Sequence, residues 1–290
     1  MENIEFDLLG DSVIKRNGKD SYFKAKFGGG FYIKGLISHL SSVKTQATFI
    51  FTEDSIQLTT SLLDNQAVKH LHLDASMFPY EFKGKNPILM TISLKDFNNA
   101  LSAISKSSGL ILEKEEGKDI LHVTPTDSST GTPMSSKSSI KFTREEIDEV
   151  LVDLEYDRSP SCYIKTNVFS QMFNSFIKNK ITRVECYGSK SGIKFIGVNT
   201  LATSTLEHTF GQFDSNDEDI DNMLAIRPDV IKTLTKLAPL NNGGEIRVFY
   251  RNENPHKFVV PIGFYGVMDI FIYDMRSEEE INEEIKLAKL

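Results

Sequence analysis

The chain has 290 residues, and 33 Lys and Arg stand against 40 Asp and Glu, a formal charge of −7. With 40% hydrophobic and 25% charged residues the composition is globular, which excludes collagen, wholesale disorder and a disulfide scaffold. The acidic total excludes a uniformly basic coat but leaves room for a local basic face, because net charge does not say where charges lie.

Residues 1–21 read as an extension, in which Glu2, Glu5 and Asp7 break any leader-like apolar stretch. No apolar run approaches the roughly 20 residues needed to cross a bilayer. The expectation is a soluble, intracellular protein, with no membrane partner: nuclear from a eukaryotic source, otherwise cytoplasmic or at a viral replication site. The alternation in Tyr22–Phe27 predicts a strand, and Gly28-Gly29-Gly30 a turn into a helix with Tyr32, Ile33, Leu36, Ile37, Leu40 and Val43 apolar. Strands are predicted at Gln46–Phe51, Ile56–Thr60, Val68–Leu73 and Pro87–Ser93. A second helix is predicted over Leu94–Ser105, then strands at Leu110–Lys114, Ile120–Val123 and Ser139–Phe142. Thr126–Lys137, rich in Ser, Thr, Gly and Pro, reads as a long mobile hairpin loop.

Arg144–Pro160 reads as a connector mixing acids with apolar residues. Beyond it the pattern repeats. Cys162–Lys165 is a predicted strand, followed by a helix from about Val168 with Phe169, Met172, Phe173, Phe176 and Ile177 apolar. Strands follow at Arg183–Tyr187, Ile193–Val198, Thr203–Thr209 and Met223–Ile226, with an acidic loop, Asp214–Asp221, inside the series. A helix over Asp229–Leu237 and strands at Glu245–Tyr250, Phe258–Ile262 and Asp269–Tyr273 complete the half. The predicted helix starts differ in number by 168 − 32 = 136 and by 229 − 94 = 135, and two offsets so nearly equal point to an internal duplication. The alternative is coincidence between two generic α+β halves.

The four predicted helices share a polar face of one character. It carries Lys34 with Lys44, Lys95 with Lys106, Lys178 with Lys180, and Lys232 and Lys236 with Arg227 just ahead, interspersed with Ser, Thr, Asn and Gln. Lys232 and Lys236 are spaced i,i+4 and share a face. The acids concentrate in the connector Glu145–Asp153, the loop Asp214–Asp221 and the tail Glu278–Glu284. A lysine on a helix surface is usually only a solvated face, but the bias recurs on all four. Single positive charges without stacking aromatics suit phosphates and not base edges.

Two such halves joined by a long connector resemble the sliding clamps of the proliferating cell nuclear antigen family, over about Tyr22–Met275. The resemblance is carried by Ser161–Lys165, Gly192–Phe195, Ala225–Leu240 with its segment Thr235-Lys236-Leu237-Ala238-Pro239-Leu240, Phe258–Val260 and Val267–Tyr273. It implies an α+β fold of two similar clamp domains, 22–143 and 161–275, each with two helices packed on antiparallel sheets. Residues 144–160 would be the interdomain connector and 276–290 an acidic tail. It implies a homotrimeric ring around double-stranded DNA, lined by Lys34, Lys44, Lys95, Lys106, Lys178, Lys180, Arg227, Lys232 and Lys236. Ring closure would pair Ser139–Phe142 with Thr203–Thr209 of the next chain, hiding two sheet edges. Partners would be a DNA polymerase, other clamp-binding proteins in replication and repair, and a clamp loader. A partner's hydrophobic peptide would dock in a pocket of Leu62, Leu63, Val150, Leu151, Val152, Leu154, Pro255, Tyr273 and Met275, although connector apolar residues are as often plain core.

The extension, the Thr126–Lys137 insertion and the tail, with its Ser277–Glu280 capping box, depart from the family pattern and mark a divergent member from a virus, phage or protist. A monomeric or hetero-oligomeric processivity factor, a checkpoint-type clamp subunit and an unrelated two-domain enzyme stay open as alternatives.

No catalytic site or cofactor is expected. Cys162 and Cys186 show no zinc spacing and read as reduced core thiols. His70 and His72 share a strand face without completing a metal site. The Gly28–Gly30 run lacks the Walker lysine and serine, no nucleophile elbow of the GxSxG type occurs, and Asp214–Asp221 lacks the EF-hand spacing.

Overall fold

A computed structural model of the chain describes residues 21–62, 67–134, 136–144, 156, 159–199, 204–213, 223–250 and 255–275. The first half runs β1 (Tyr22–Phe27), α1 (Gly30–Ser41), β2 (Gln46–Phe51), β3 (Ser55–Leu62), β4 (Ala67–Asp74), β5 (Tyr80–Lys83), β6 (Ile88–Ser93), α2 (Leu94–Ala100), β7 (Ser108–Lys114), β8 (Ile120–Asp127) and β9 (Ser138–Lys141). The second runs β10 (Cys162–Lys165), α3 (Thr166–Lys178), β11 (Arg183–Gly188), β12 (Gly192–Asn199), β13 (Ser204–Gly211), β14 (Met223–Ile226), α4 (Pro228–Leu234), a 3-10 turn (Ala238–Leu240), β15 (Glu245–Phe249), β16 (His256–Pro261) and β17 (Gly266–Ile272).

The duplication is strict across three consecutive strands. β2, β3 and β4 have the same lengths as β11, β12 and β13, and their starting numbers differ by one constant offset: 183 − 46 = 192 − 55 = 204 − 67 = 137. The strands form antiparallel sheets in the orders β5-β1-β7-β8-β9, β10-β15-β16-β17-β4-β3-β2-β6 and β13-β12-β11-β14. The eight-stranded sheet takes four strands from each half. Its joint is the β17–β4 pair, in register from Gly266 opposite Leu73 to Ile272 opposite Ala67. The alternation read in the sequence sets the faces: Phe23, Ala25 and Phe27 of β1 and Met268, Ile270 and Ile272 of β17 point into one continuous core shared by both halves.

Several expectations are corrected. The second helix stops at Ala100 and not Ser105, because the serine run turns back on itself: the Ser105 N–H donates to Ser108 Oγ at 3.1 Å. The fourth helix covers Pro228–Leu234 and not Asp229–Leu237. Thr233 and Thr235 hydroxyls donate to the carbonyls of Val230 and Lys232, and Pro239 disfavours helix in the residue before it. β5 is an addition to the predicted strands; its four residues lie between Pro79 and Gly84, too short a run for a periodicity signal. β17 starts at Gly266 and not Asp269. The hairpin loop is tighter than Thr126–Lys137, because β8 continues to Asp127, whose carboxylate accepts the N–H groups of Ser129 and Thr130 at 2.8 and 3.0 Å. The N-terminal extension, most of the connector, the acidic loop and the tail lie outside the described residues.

The joint is sterically exacting at its first pair. A Cβ on Gly266 would collide with the His72 carbonyl oxygen and lie 2.8 Å from Leu73 Cα, whereas one on Gly28 would meet nothing. Gly266→Ala is therefore expected to lower the unfolding temperature by about 5 °C or more, with Gly28→Ala within about 2 °C of wild type. Differential scanning calorimetry of the two variants checks this.

Candidate nucleic-acid interface and docking groove

The helices form one contiguous layer. α1 packs on α2 and α3 on α4, and both α1 and α3 contact the Ala238–Leu240 turn. α1 approaches that turn closely because position 35 is glycine; a Cβ there would sit 3.2 Å from Pro239 Cβ. Buried residues Ile33, Leu36, Ile37 and Leu40 of α1 and Phe169, Met172, Phe173 and Phe176 of α3 fix which face turns inward.

On or beside the outward face of this layer Lys44, Lys95, Lys106, Lys178, Lys180, Lys232 and Lys236 are exposed, with Ser38, Asn99, Gln171 and Asn174 among them. Lys180 closes α3 in the left-handed region at φ 54°, a position more often held by glycine or asparagine. Two acids share the layer, Asp96 and Asp229. Asp229 lies 3.6 Å from the Arg227 guanidinium and 3.5 Å from Lys232 Nζ, exposed pairs worth little in water. Lys34 differs from the others. Its ammonium donates to the carbonyls of Ser102 and Ile104 at 2.9 and 2.7 Å, capping the turn after α2. It ties two helices together instead of standing free in the lining.

Of the expected docking pocket, Leu63, Val150, Leu151, Val152, Leu154 and the Leu62 side chain lie outside the described residues. Pro255 is buried and Tyr273 half-buried, one register step beyond the His256–Ile272 pair. Met275 is 36% exposed. Its N–H donates to the Ala225 carbonyl, and Asp274 accepts the Ala225 N–H, so this segment runs along the open edge of β14.

Sequence reasoning missed the cluster beside Pro255. Tyr156, from the connector, donates its hydroxyl to the Pro255 carbonyl at 2.9 Å. Its ring lies 6.4 Å from Phe249 and 6.1 Å from Phe271. Lys257 Nζ sits 5.4 to 5.8 Å from all three ring centres and 2.6 Å from the Asp269 carboxylate. The available signal was the unbroken apolar run Ile270–Tyr273, which marks a strand covered on both faces.

Among the described residues β9 and β13 are edge strands, each paired on one side only, as are β5, β6, β10 and β14. Beside β9 lies a cleft of about 440 Å³, lined by Asp96, Asn99 and Ala100 of α2 and by Ser138–Lys141. The large apolar side chains exposed on the helix layer are Val168 and Ile177, both on α3. Both cysteines are free and buried, and burial pushes the Cys162 thiol up to about 12 and holds Cys186 well above the usual thiol range, so neither is a nucleophile at neutral pH. Burial likewise drives His256 down to about 4. No group of three or more His, Cys, Asp or Glu among the described residues is placed to hold a metal ion.

No protein-family model and no curated protein sequence matches the chain. Among solved structures it is similar to the proliferating cellular nuclear antigen of Entamoeba histolytica, with a TM-score of 0.67 and 15% identity, over 87% of this chain and 98% of that one. The fold is thus the α+β clamp fold of the proliferating cell nuclear antigen type.

The two kinds of lysine separate by measurement. Lys34→Met, which orphans two carbonyl groups, is expected to cost about 1–3 kcal/mol in urea unfolding. Lys44→Met and Lys95→Met are expected to stay within about 0.5 kcal/mol of wild type.

Proposed function

We propose that this chain is a DNA sliding clamp, which assembles head to tail into a closed ring around duplex DNA and tethers DNA polymerase and other partners without chemistry of its own. The observation that carries it is the joint. The chain makes one β17–β4 joint internally, and the counterparts of those two strands, β9 and β13, are edge strands with one side open.

The internal joint supplies the register of the second. Ala25 and Cys162 differ by 162 − 25 = 137, the offset of the repeated strands. Reading across the sheets, Ala25 stands opposite Leu112, Leu112 opposite Val123, and Val123 opposite Ser138. Cys162 stands opposite Val248, Val248 opposite Phe258, and Phe258 opposite Ile270. Ser138 is therefore the counterpart of Ile270. Ile270 faces Lys69, and Lys69 is the counterpart of Leu206 (69 + 137). In a ring, Ser138 would face Leu206 of the next copy, Ser139 would face Thr205, and Lys137 would face Glu207, opposite charges across a strand pair. The cleft beside β9 would receive the apolar residues of α3 from that copy.

Enclosure would supply persistence on DNA, so the lining needs only weak phosphate attraction, and the exposed lysines provide that without sequence preference. Three copies would place three such layers around the duplex. A hydrophobic peptide of a partner would dock near Pro255, Tyr273 and the connector.

Ser139→Cys with Thr205→Cys in one chain is expected to give disulfide-linked multimers ending at three chains under mild oxidant, with Ser139→Cys and Thr209→Cys giving few. Once loaded, the protein should stay on closed circular DNA and leave linear DNA through its ends; equal retention on both would sink the ring. Lys232→Glu with Lys236→Glu should lower the slope of log affinity against log salt by about 2, with folding intact by circular dichroism.

A further inference from the structure

We propose that Lys69 and His39 form a pH-sensitive latch, buried beside the joint between the two halves, that fastens helix α1 to strand β4. Lys69 lies on the inward face of β4, in register with Thr60 of β3 on one side and Ile270 of β17 on the other. Its Nζ is 2.7 Å from Nε2 of His39, in the last turn of α1. Lys69 is 0% and His39 1% exposed. A buried lysine ordinarily meets a carboxylate, because an unpaired charge in the interior costs several kcal/mol. Here it meets a second base.

The groups facing the pair leave it isolated. The inward neighbours of Lys69 on β4 are Ala67 and Leu71, and its cross-strand neighbours are neutral. Among the described residues no carboxylate acts on either base; the further charge felt by His39 is that of Lys236, which is also positive. Burial brings the Lys69 amine down to about 7. Burial first, then Lys69 and Lys236, hold His39 well below the usual histidine range. The exchangeable proton near neutrality therefore belongs to Lys69, while His39 stays neutral. His39 Nδ1 has no hydrogen-bond partner in the described structure, so Nε2 is the ring's hold on β4.

In an unfolded chain the lysine keeps its proton up to about pH 10.4. Between about 7 and that value the unfolded chain binds the extra proton, so this group's contribution to stability rises with pH across the window. Below about 7 both states are protonated and the folded chain carries the full burden of a buried ammonium. Acidification through neutrality thus puts charge into the latch and loosens α1 from β4. The fold itself does not require a base here, because the duplicated half carries Leu206 at the counterpart position.

Thermal unfolding of wild type, Lys69→Leu and Lys69→Met between pH 6 and 10 tests the latch. It needs no DNA and no second copy, so its failure is separate from failure of the ring. Lys69→Leu is expected to raise the unfolding temperature by about 3–10 °C at pH 6–7, with the gain shrinking toward pH 10. Hydrogen exchange in α1, corrected for intrinsic rates, should become less protected from pH 8 to 6 in wild type and stay constant in the variant. If Lys69→Leu does not fold, Lys69→Met, unbranched like lysine, decides by the same criteria. A gap that is the same at every pH, or a loss of stability in both variants throughout, overturns the proposal.

Discussion

The β17–β4 strand pair is the contact on which the rest of the molecule depends. Seven consecutive residues on each strand face one another, and they turn two repeated α+β halves into one eight-stranded sheet with one core. The pair requires glycine at position 266, where another backbone approaches too closely for a side chain. On its inward side α1 meets β4 through the His39–Lys69 contact, and α1 in turn reaches the Ala238–Leu240 turn of the other half. A duplicated chain that makes such a joint once inside itself leaves the counterpart strands, here β9 and β13, at sheet edges. On the proposed reading those edges match each other and not themselves, so association would be head to tail. Such contacts close into rings when the rotation allows and form filaments when it does not. Open edges also invite indiscriminate pairing, and covering β9 and β13 with copies of the same chain would remove that hazard at these two edges.

Charge follows the same division by element. A total of −7 argues against a nucleic-acid partner only while it is treated as a uniform coat. Exposed lysines recur on the helix layer, where Asp96 and Asp229 are the acids, although others such as Lys83, Lys118 and Lys190 lie elsewhere, and the sequence places runs of acids in 145–153, 214–221 and 278–284. Weak, salt-sensitive phosphate contacts are too little to hold a protein on DNA by themselves. Joined to the enclosure proposed above, the same weakness would allow movement along the duplex.

Much of this is legible in the sequence because it is local. The predicted limits of β1, β2, β10 and β14 are the observed ones, since alternation and flanking turn residues lie within the segment. The duplication is legible because it is a matter of spacing, and the observed starts of α1 and α3 keep nearly the same offset, 166 − 30 = 136. What escapes depends on partners far away in sequence. Lys34 has the composition of a lining residue, and only the placement of α2 shows that its ammonium is used up on two carbonyls. Tyr156 is hidden in an acidic connector because its companions, Phe249, Lys257 and Phe271, come from three strands of the second half. Lys69 looks like an ordinary polar residue in a strand, and only the packing of α1 over β4 makes it a buried base.

The central claim is that the open edges of β9 and β13 are two halves of one joint, closed by another copy of the chain. Sedimentation equilibrium across a concentration range tests it most directly. The account predicts a concentration-dependent species that plateaus at three times 32.7 kDa and grows no further. A mass that stays at 32.7 kDa up to the solubility limit, or one that increases without a plateau, would contradict it.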